Sequence, residues 1–260
     1  MKVRGQQSEL LKRIGYVCLL VVTFFSVAQR AEAGTILAAG DITPVFSLTD
    51  TFPNDATPGN RQFFQNVLGL GTEVVILGSS VNSFAGSELA EFYNSLPGVT
   101  ATLLPSATLM NAANLTGKHL FLAPAPDDFT AAEIAAIAAY LAADGSMFVM
   151  GDGVFPFLSF AINDLLSGVG SGLSLGFDGF DIGDQTATGL EIVGHPLTGG
   201  VLSFNYGATV LVSGGSQLFL TNDLRPFVAV EGALAVPEPA SLLLLSFGLG
   251  LAAFARRRIR

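Results

Sequence analysis

The sequence predicts a single α/β domain on a mainly parallel sheet, with antiparallel hairpins toward its C-terminal end. Three observations predict it. Between residues 72 and 166, short apolar runs alternate with segments whose apolar positions repeat at helical spacing. Beyond Gly168 the helical spacing stops, and short strands separated by glycine-rich turns replace it. Both ends have the composition of targeting segments, which leaves residues 34–231 for the fold.

The elements follow in order. Residues 72–77, Thr-Glu-Val-Val-Ile-Leu, read as a buried strand stopped by Gly78. Residues 87–95 read as a helix with Leu89, Phe92 and Tyr93 on one face, and residues 99–104 as a second strand. Residues 119–123 form a third apolar strand, ended by Pro124 and Pro126. Thr130-Ala-Ala-Glu133 is a capping box, in which hydroxyl and carboxylate satisfy orphan backbone donors at a helix start. Ile134, Ile137, Ala138 and Leu141 continue at helical spacing until Gly145, and Asp127 and Asp128 favour the positive end of the helix dipole. Residues 146–150 are a fourth strand, Gly151-Asp152-Gly153 its turn, and residues 157–166 a further helix. Strand, helix, strand in this order call for right-handed crossovers in a parallel sheet. Short strands at residues 173–177, 209–212 and 217–220, the last two joined through Ser213-Gly-Gly-Ser216, suggest hairpins at one sheet edge, with residues 227–231 as the final strand.

The ends set the compartment. Lys2, Arg4, Lys12 and Arg13 precede an apolar stretch of thirteen residues, 16–28, and Ala31-Glu32-Ala33 offers the small residues that a signal peptidase reads. Residues 1–33 are therefore expected to be a signal peptide cleaved before Gly34; thirteen residues fall short of the ~20 that a membrane span needs. At the other end a linker at 232–241 contains Pro237-Glu238-Pro239, and residues 242–260 form an apolar helix with a basic tail. The apolar run, residues 242–255, is fourteen residues, or about 21 Å as a helix against a hydrocarbon core of ~30 Å, so it is a shallow anchor. Arg256, Arg257, Arg258 and Arg260 flank the membrane and hold that end in the cytoplasm, which places residues 34–236 outside.

Pro-Glu-Pro, apolar run and arginines together resemble the PEP-CTERM sorting signal of Gram-negative bacteria. The resemblance implies an exosortase-type enzyme that cuts near Pro237-Glu238-Pro239. It further implies passage through the inner membrane, release or re-attachment at the envelope or outside the cell, and a link with exopolysaccharide and biofilm.

Composition excludes several functions. The single cysteine, Cys18, lies in the signal segment, so the exported domain has no disulfide, no thiolate nucleophile and no cysteine metal site. Residues 34–236 hold 18 acidic residues and three basic ones, Arg61, Lys118 and Arg225, a net charge of −15 that repels phosphate backbones and rules against nucleic-acid binding.

Residues 73–231 also resemble, distantly, the class I glutamine amidotransferase-like fold, a flavodoxin-like sheet. The resemblance is carried by residues 114–123, by the capped helix with Met147-Phe-Val-Met-Gly-Asp152, and by Gly194-His-Pro-Leu-Thr-Gly-Gly-Val201. Where catalytic members of that family place a cysteine, this chain has Asp152 and Gly153, so cysteine-based amidotransfer is ruled out.

Chemistry-bearing residues remain to be weighed. Asp178, Asp181 and Asp184, interleaved with Gly176, Gly179 and Gly183, give hard oxygen donors that suit Ca²⁺, although their every-third spacing differs from alternating loop ligands; a solvated acidic loop is the alternative. Gly172-Leu-Ser-Leu-Gly176 matches the hydrolase elbow in letters only, because Ser174 lacks a following helix. His119 and His195 are the only histidines, and no nucleophile accompanies either in sequence. Asn114-Leu115-Thr116 is a glycosylation sequon expected to mark a helix or turn boundary. The expectation is thus a non-catalytic exported protein without cofactor. Its rivals are an envelope hydrolase using Asp152 or the acidic loop, and a calcium-dependent carbohydrate-binding module.

Overall fold

The computed structural model describes residues 34–49, 56–181 and 183–232. The expected signal peptide, the linker beyond Gly232, the Pro237-Glu238-Pro239 motif and the C-terminal helix with Arg256, Arg257, Arg258 and Arg260 lie outside the described residues. Among the described residues no helix is long and apolar enough to cross a membrane.

The chain enters through β1 (Ile36–Ala39), buried at all four positions. It then makes a 3₁₀ turn and α1 (Pro58–Leu68), which starts on a proline whose missing N–H costs nothing in the first turn. Next come β2 (Glu73–Leu77), α2 (Ser83–Ser95) and β3 (Thr100–Leu104). Helix α2 begins a turn earlier than the apolar spacing predicts, because the Asn82 side chain accepts the Ala85 N–H at 3.3 Å and caps it. A short α3 (Ala112–Leu115) leads to β4 (Leu120–Pro124), α4 (Ala131–Ala142), β5 (Ser146–Met150) and α5 (Leu158–Gly168). The predicted capping box opens α4: Thr130 N–H donates to Glu133 at 2.8 Å and Glu133 N–H to the Thr130 hydroxyl at 3.3 Å. The remainder is strand apart from two short 3₁₀ turns between β7 and β8: β6 (Ser174–Phe180), β7 (Gln185–Thr188), β8 (Ser203–Tyr206), β9 (Thr209–Ser213), β10 (Ser216–Leu220) and β11 (Pro226–Glu231).

One sheet of seven strands, ordered β10-β11-β1-β5-β4-β2-β3, organises the domain. Strands β1, β5, β4, β2 and β3 are parallel, and β11 and β10 join the β1 edge antiparallel. The order β3-β2-β4-β5 follows the 2-1-3-4 part of a flavodoxin-like sheet, but the fifth place goes to β1, which precedes the others in the chain. The expected hairpin between residues 209–212 and 217–220 is not formed. Strand β9 pairs with β6 in a separate ribbon, while β10 pairs with β11 in the main sheet. Gly214 and Gly215, both at positive φ (86° and 60°), redirect the chain from one layer to the other where a side chain would meet backbone atoms.

Both faces of the sheet are covered, as a mainly parallel sheet requires. Alternation along each strand divides the core. Leu37, Val74, Ile76, Leu120, Leu122 and Phe148 point to α1, α2 and the β7–β8 ribbon. Ala38, Val75, Phe121, Ala123, Met147 and Val149 point to α4, α5 and the β6–β9 ribbon. Phe63 of α1 is the hub of the first layer, meeting Phe64, Phe148, Phe204 and Phe219 edge-on at 5.0–6.0 Å. Buried Asn60 fixes the ribbon beneath α1: its side chain donates to the Asn205 carbonyl at 2.9 Å and accepts the Asn205 N–H at 2.8 Å.

Removing the hub leaves a cavity between four rings. Phe63→Ala is therefore expected to destabilise the protein by about 3–5 kcal/mol in urea unfolding, whereas Leu190→Ala, at an 86 % exposed position, changes stability by less than about 0.5 kcal/mol.

Candidate functional site

In open α/β sheets ligands bind beyond the carboxyl ends of the strands, where strand order reverses. Here β1 and β5 are neighbours in register, Ile36 opposite Met147 through Ala39 opposite Met150, and each ends in Gly-Asp. Gly40-Asp41 and Gly151-Asp152 therefore stand side by side at the sheet's carboxyl edge. A side chain at Gly40 would meet the Val210 carbonyl oxygen 1.8 Å away, so β9 crosses here only because the residue is glycine.

Asp41 is fully buried. One carboxylate oxygen accepts the Thr43 N–H at 2.8 Å and the other accepts the N–H of Gly207, in the turn between β8 and β9. Burial pushes its pKa up to about 7 from an ordinary 3.8, against the pull of these donors, and the nearby Asp152 charge adds to the rise. Asp152 is also raised by burial, opposed by the N–H groups of Val154 and Phe155, with Val154 donating at 2.8 Å. Two carboxyls with raised pKa values on adjacent strand ends have the profile of an acid–base pair. Their oxygens, however, are turned on backbone donors of the domain. Asp41 acts as a clamp between β1 and the β8–β9 turn.

The second feature of this edge is the crevice at the carboxyl ends of β2 and β4, where the strand order turns. A cavity of about 220 Å³ is lined there by Ser106, Thr108, Asp127, Asp128, Thr130 and Glu133. Burial raises the Glu133 pKa, but the N–H groups of Thr130 and Met110 and the Thr130 hydroxyl outweigh it and hold the carboxyl below its ordinary value. Asp127 accepts the Ser80 hydroxyl. These acidic groups occupy the positive end of α4 and leave no place for an anion.

Between the two features sits Ala125, buried, in a left-handed conformation at φ 44° after β4. Ser79 holds the turn, its hydroxyl donating to the Ala125 carbonyl at 2.7 Å while accepting the N–H groups of Val81 and Asn82. A non-glycine residue held at positive φ on this edge is where an α/β enzyme stores strain for a reactive group. Here the strained residue follows β4 rather than the Asp152 turn after β5, and it carries only a methyl group.

Neither histidine joins this edge. His119 lies at the amino end of β4, where its Nδ1 accepts the N–H groups of Thr72 and Glu73 at 3.3 and 3.2 Å, beside a cavity of about 430 Å³ lined by Lys118 and Tyr140. His195 caps a 3₁₀ turn through the Leu197 N–H at 3.2 Å, and burial lowers its pKa. Asn66, in the last turn of α1, binds the Leu197 and Gly199 carbonyls of that turn. Ser174 opens β6 with no helix after it. Asn114 lies in α3, and the Thr116 hydroxyl donates to the Ala112 carbonyl, closing that turn. Of the acidic loop, Asp178 is in β6, Asp181 adopts φ 52° and accepts the Tyr206 hydroxyl at 3.1 Å, and Asp184 precedes β7. Among the described residues, no three His, Cys, Asp or Glu side chains are grouped to hold a metal ion. Asp41 was not singled out in the sequence. The signal was the repetition of an apolar run closed by Gly-Asp, at Ile36–Asp41 and again at Met147–Asp152.

Residues 235–259 match the family of the PEP-CTERM protein-sorting motif. No curated protein and no solved structure matches the chain, so the amidotransferase-like resemblance rests on its three segments alone. The motif marks an exported, envelope-directed protein that an exosortase-type enzyme processes.

The raised Asp41 carboxyl has a readable consequence. Between pH 3.8 and about 7 the unfolded chain ionises this group while the folded chain keeps it protonated, so its contribution to stability falls as pH rises and levels off above about 7. In urea unfolding across this range, the stability difference between the natural protein and Asp41→Asn is expected to fall with rising pH. A difference that stays constant would show that Asp41 is ionised throughout.

Proposed function

We propose that the chain is a non-catalytic envelope or matrix protein, associated with exopolysaccharide, whose domain is delivered by its C-terminal sorting motif. The observation that carries this reading is the match at residues 235–259. The carboxyl edge supports it: the strained turn carries only the buried Ala125 methyl group, Asp41 is buried with each oxygen on a backbone donor, and neither histidine shares the edge. A hydrolase needs a nucleophile or water positioned by a base, and both histidines lie away from this edge on backbone donors. The acidic, cysteine-free domain suits an oxidising compartment in which solubility rests on charge.

The test uses cells that contain an exosortase. Intact-mass analysis is expected to find the protein shortened near Gly34 and near Pro237-Glu238-Pro239, in the envelope or matrix fraction. Replacing Pro237, Glu238 and Pro239 with alanine leaves residues 242–255 unchanged, so this variant is expected to stay in the inner membrane with its C-terminus intact. Equal processing of the variant and the parent would make the tail an ordinary anchor.

A further inference from the structure

Where β5 hands over to α5, and β6 passes beside it, five apolar side chains reach the surface together. Val154, Phe155, Phe157, Phe160 and Phe177 are each 40–62 % exposed. The rings of Phe160 and Phe177 lie 4.4 Å apart at 34°, and those of Phe155 and Phe157 5.9 Å apart at 67°. Phe157 and Phe160 are three residues apart at the start of α5, so the two ring pairs adjoin. Scattered surface phenylalanines need no explanation, but four in one patch on a soluble domain mark a place that a partner covers.

The charges around the patch say what kind of partner. Exposed Asp164 lies one helical turn beyond Phe160, and exposed Asp178 follows Phe177. The same strand shows how such a surface is completed, because the Arg225 guanidinium sits 4.0 Å from the centre of the Phe180 ring and pairs with Asp223 at 2.8 Å. The exported domain has two other cations, and both are committed: Arg61 to the Leu48 carbonyl and the Phe92 ring, Lys118 to Glu73. No cation of the domain's own remains for the exposed rings. A second copy would bring another domain of net charge −15 against the same acidic border, and anionic lipid headgroups would be repelled likewise.

We propose that this patch is a docking site for a protein segment whose apolar face is bordered by arginine or lysine. Its apolar side chains cover Phe157, Phe160 and Phe177, and its cations stack on the rings and pair with Asp164 and Asp178.

The probe is a fluorescent amphipathic peptide of leucine and arginine, measured by anisotropy against the processed protein. Two control peptides accompany it, one with the arginines replaced by glutamate and one with the leucines replaced by serine. The leucine–arginine peptide is expected to bind at least tenfold more tightly than either control. Phe157→Ser with Phe160→Ser, which leaves net charge unchanged, is expected to weaken binding at least tenfold while the thermal midpoint moves little. If that double variant is unstable, Phe177→Ser alone serves the same comparison. Asp164→Asn with Asp178→Asn is expected to weaken binding and flatten its salt dependence. Equal binding by the phenylalanine variants, or by the serine-substituted peptide, would reduce the effect to general charge attraction and overturn the proposal. So would a natural protein that self-associates, or binds anionic vesicles, through the same phenylalanines.

Discussion

A mainly parallel sheet has no face to give to water, and this requirement shapes everything else in the domain. Strands β1, β5, β4 and β2 are buried on both sides, so each alternate residue needs its own cover. The four longer helices α1, α2, α4 and α5 cover much of it, and the β1 edge adds two antiparallel strands, one of which α1 meets through Phe63 against Phe219. The two small ribbons, β6–β9 and β7–β8, close this part. With no disulfide to compensate, packing and buried hydrogen bonds hold the layers, with the ring cluster around Phe63 joining α1 to the sheet and the β7–β8 ribbon.

The same constraint explains the carboxyl edge. To bring β9 across the end of β1, the chain uses Gly40, buries Asp41, and satisfies both carboxylate oxygens with backbone N–H groups from either side of the crossing. A carboxyl perturbed for this reason resembles a catalytic acid in its pKa and differs from one in its geometry. Geometry decides, because a carboxyl that is fully buried with both oxygens held by backbone donors is out of a substrate's reach.

What was legible in the sequence followed local signals. The capping box at Thr130 and Glu133 placed α4, and the apolar runs placed β2, β4 and β5 nearly to the residue, because buried strands and capped helices announce themselves over a few positions. Strand β1 is four residues, two of them alanine, too short a run to announce itself after the longer apolar stretch at residues 16–28. Helix α1 lies between a glycine and a proline, where Phe63, Phe64, Val67 and Leu68 are too few to outweigh its polar residues. The partner of β9 was misread because Ser213-Gly-Gly-Ser216 is a good hairpin turn locally, and only the layered packing sends its two strands to different sheets. At the site, Asp152 was found by its turn and Asp41 was not, since their kinship is a pairing of distant strands. The sorting motif was legible because it is read as linear sequence.

The molecule divides into a folded domain and the C-terminal address that follows it. Chain exits favour the separation: Gly34 binds the Leu141 carbonyl near the start of β1, and β11 ends opposite Ile36, so both termini of the folded unit leave from the amino edge, away from Asp41 and Asp152. Processing near Pro237-Glu238-Pro239 then leaves every described element in place. Urea unfolding of the protein processed in its host, set against the full-length chain in detergent, tests this most directly. The same midpoint and one cooperative transition are expected for both forms; a processed protein that unfolds at lower denaturant, or without cooperativity, would show that the removed ends support the core.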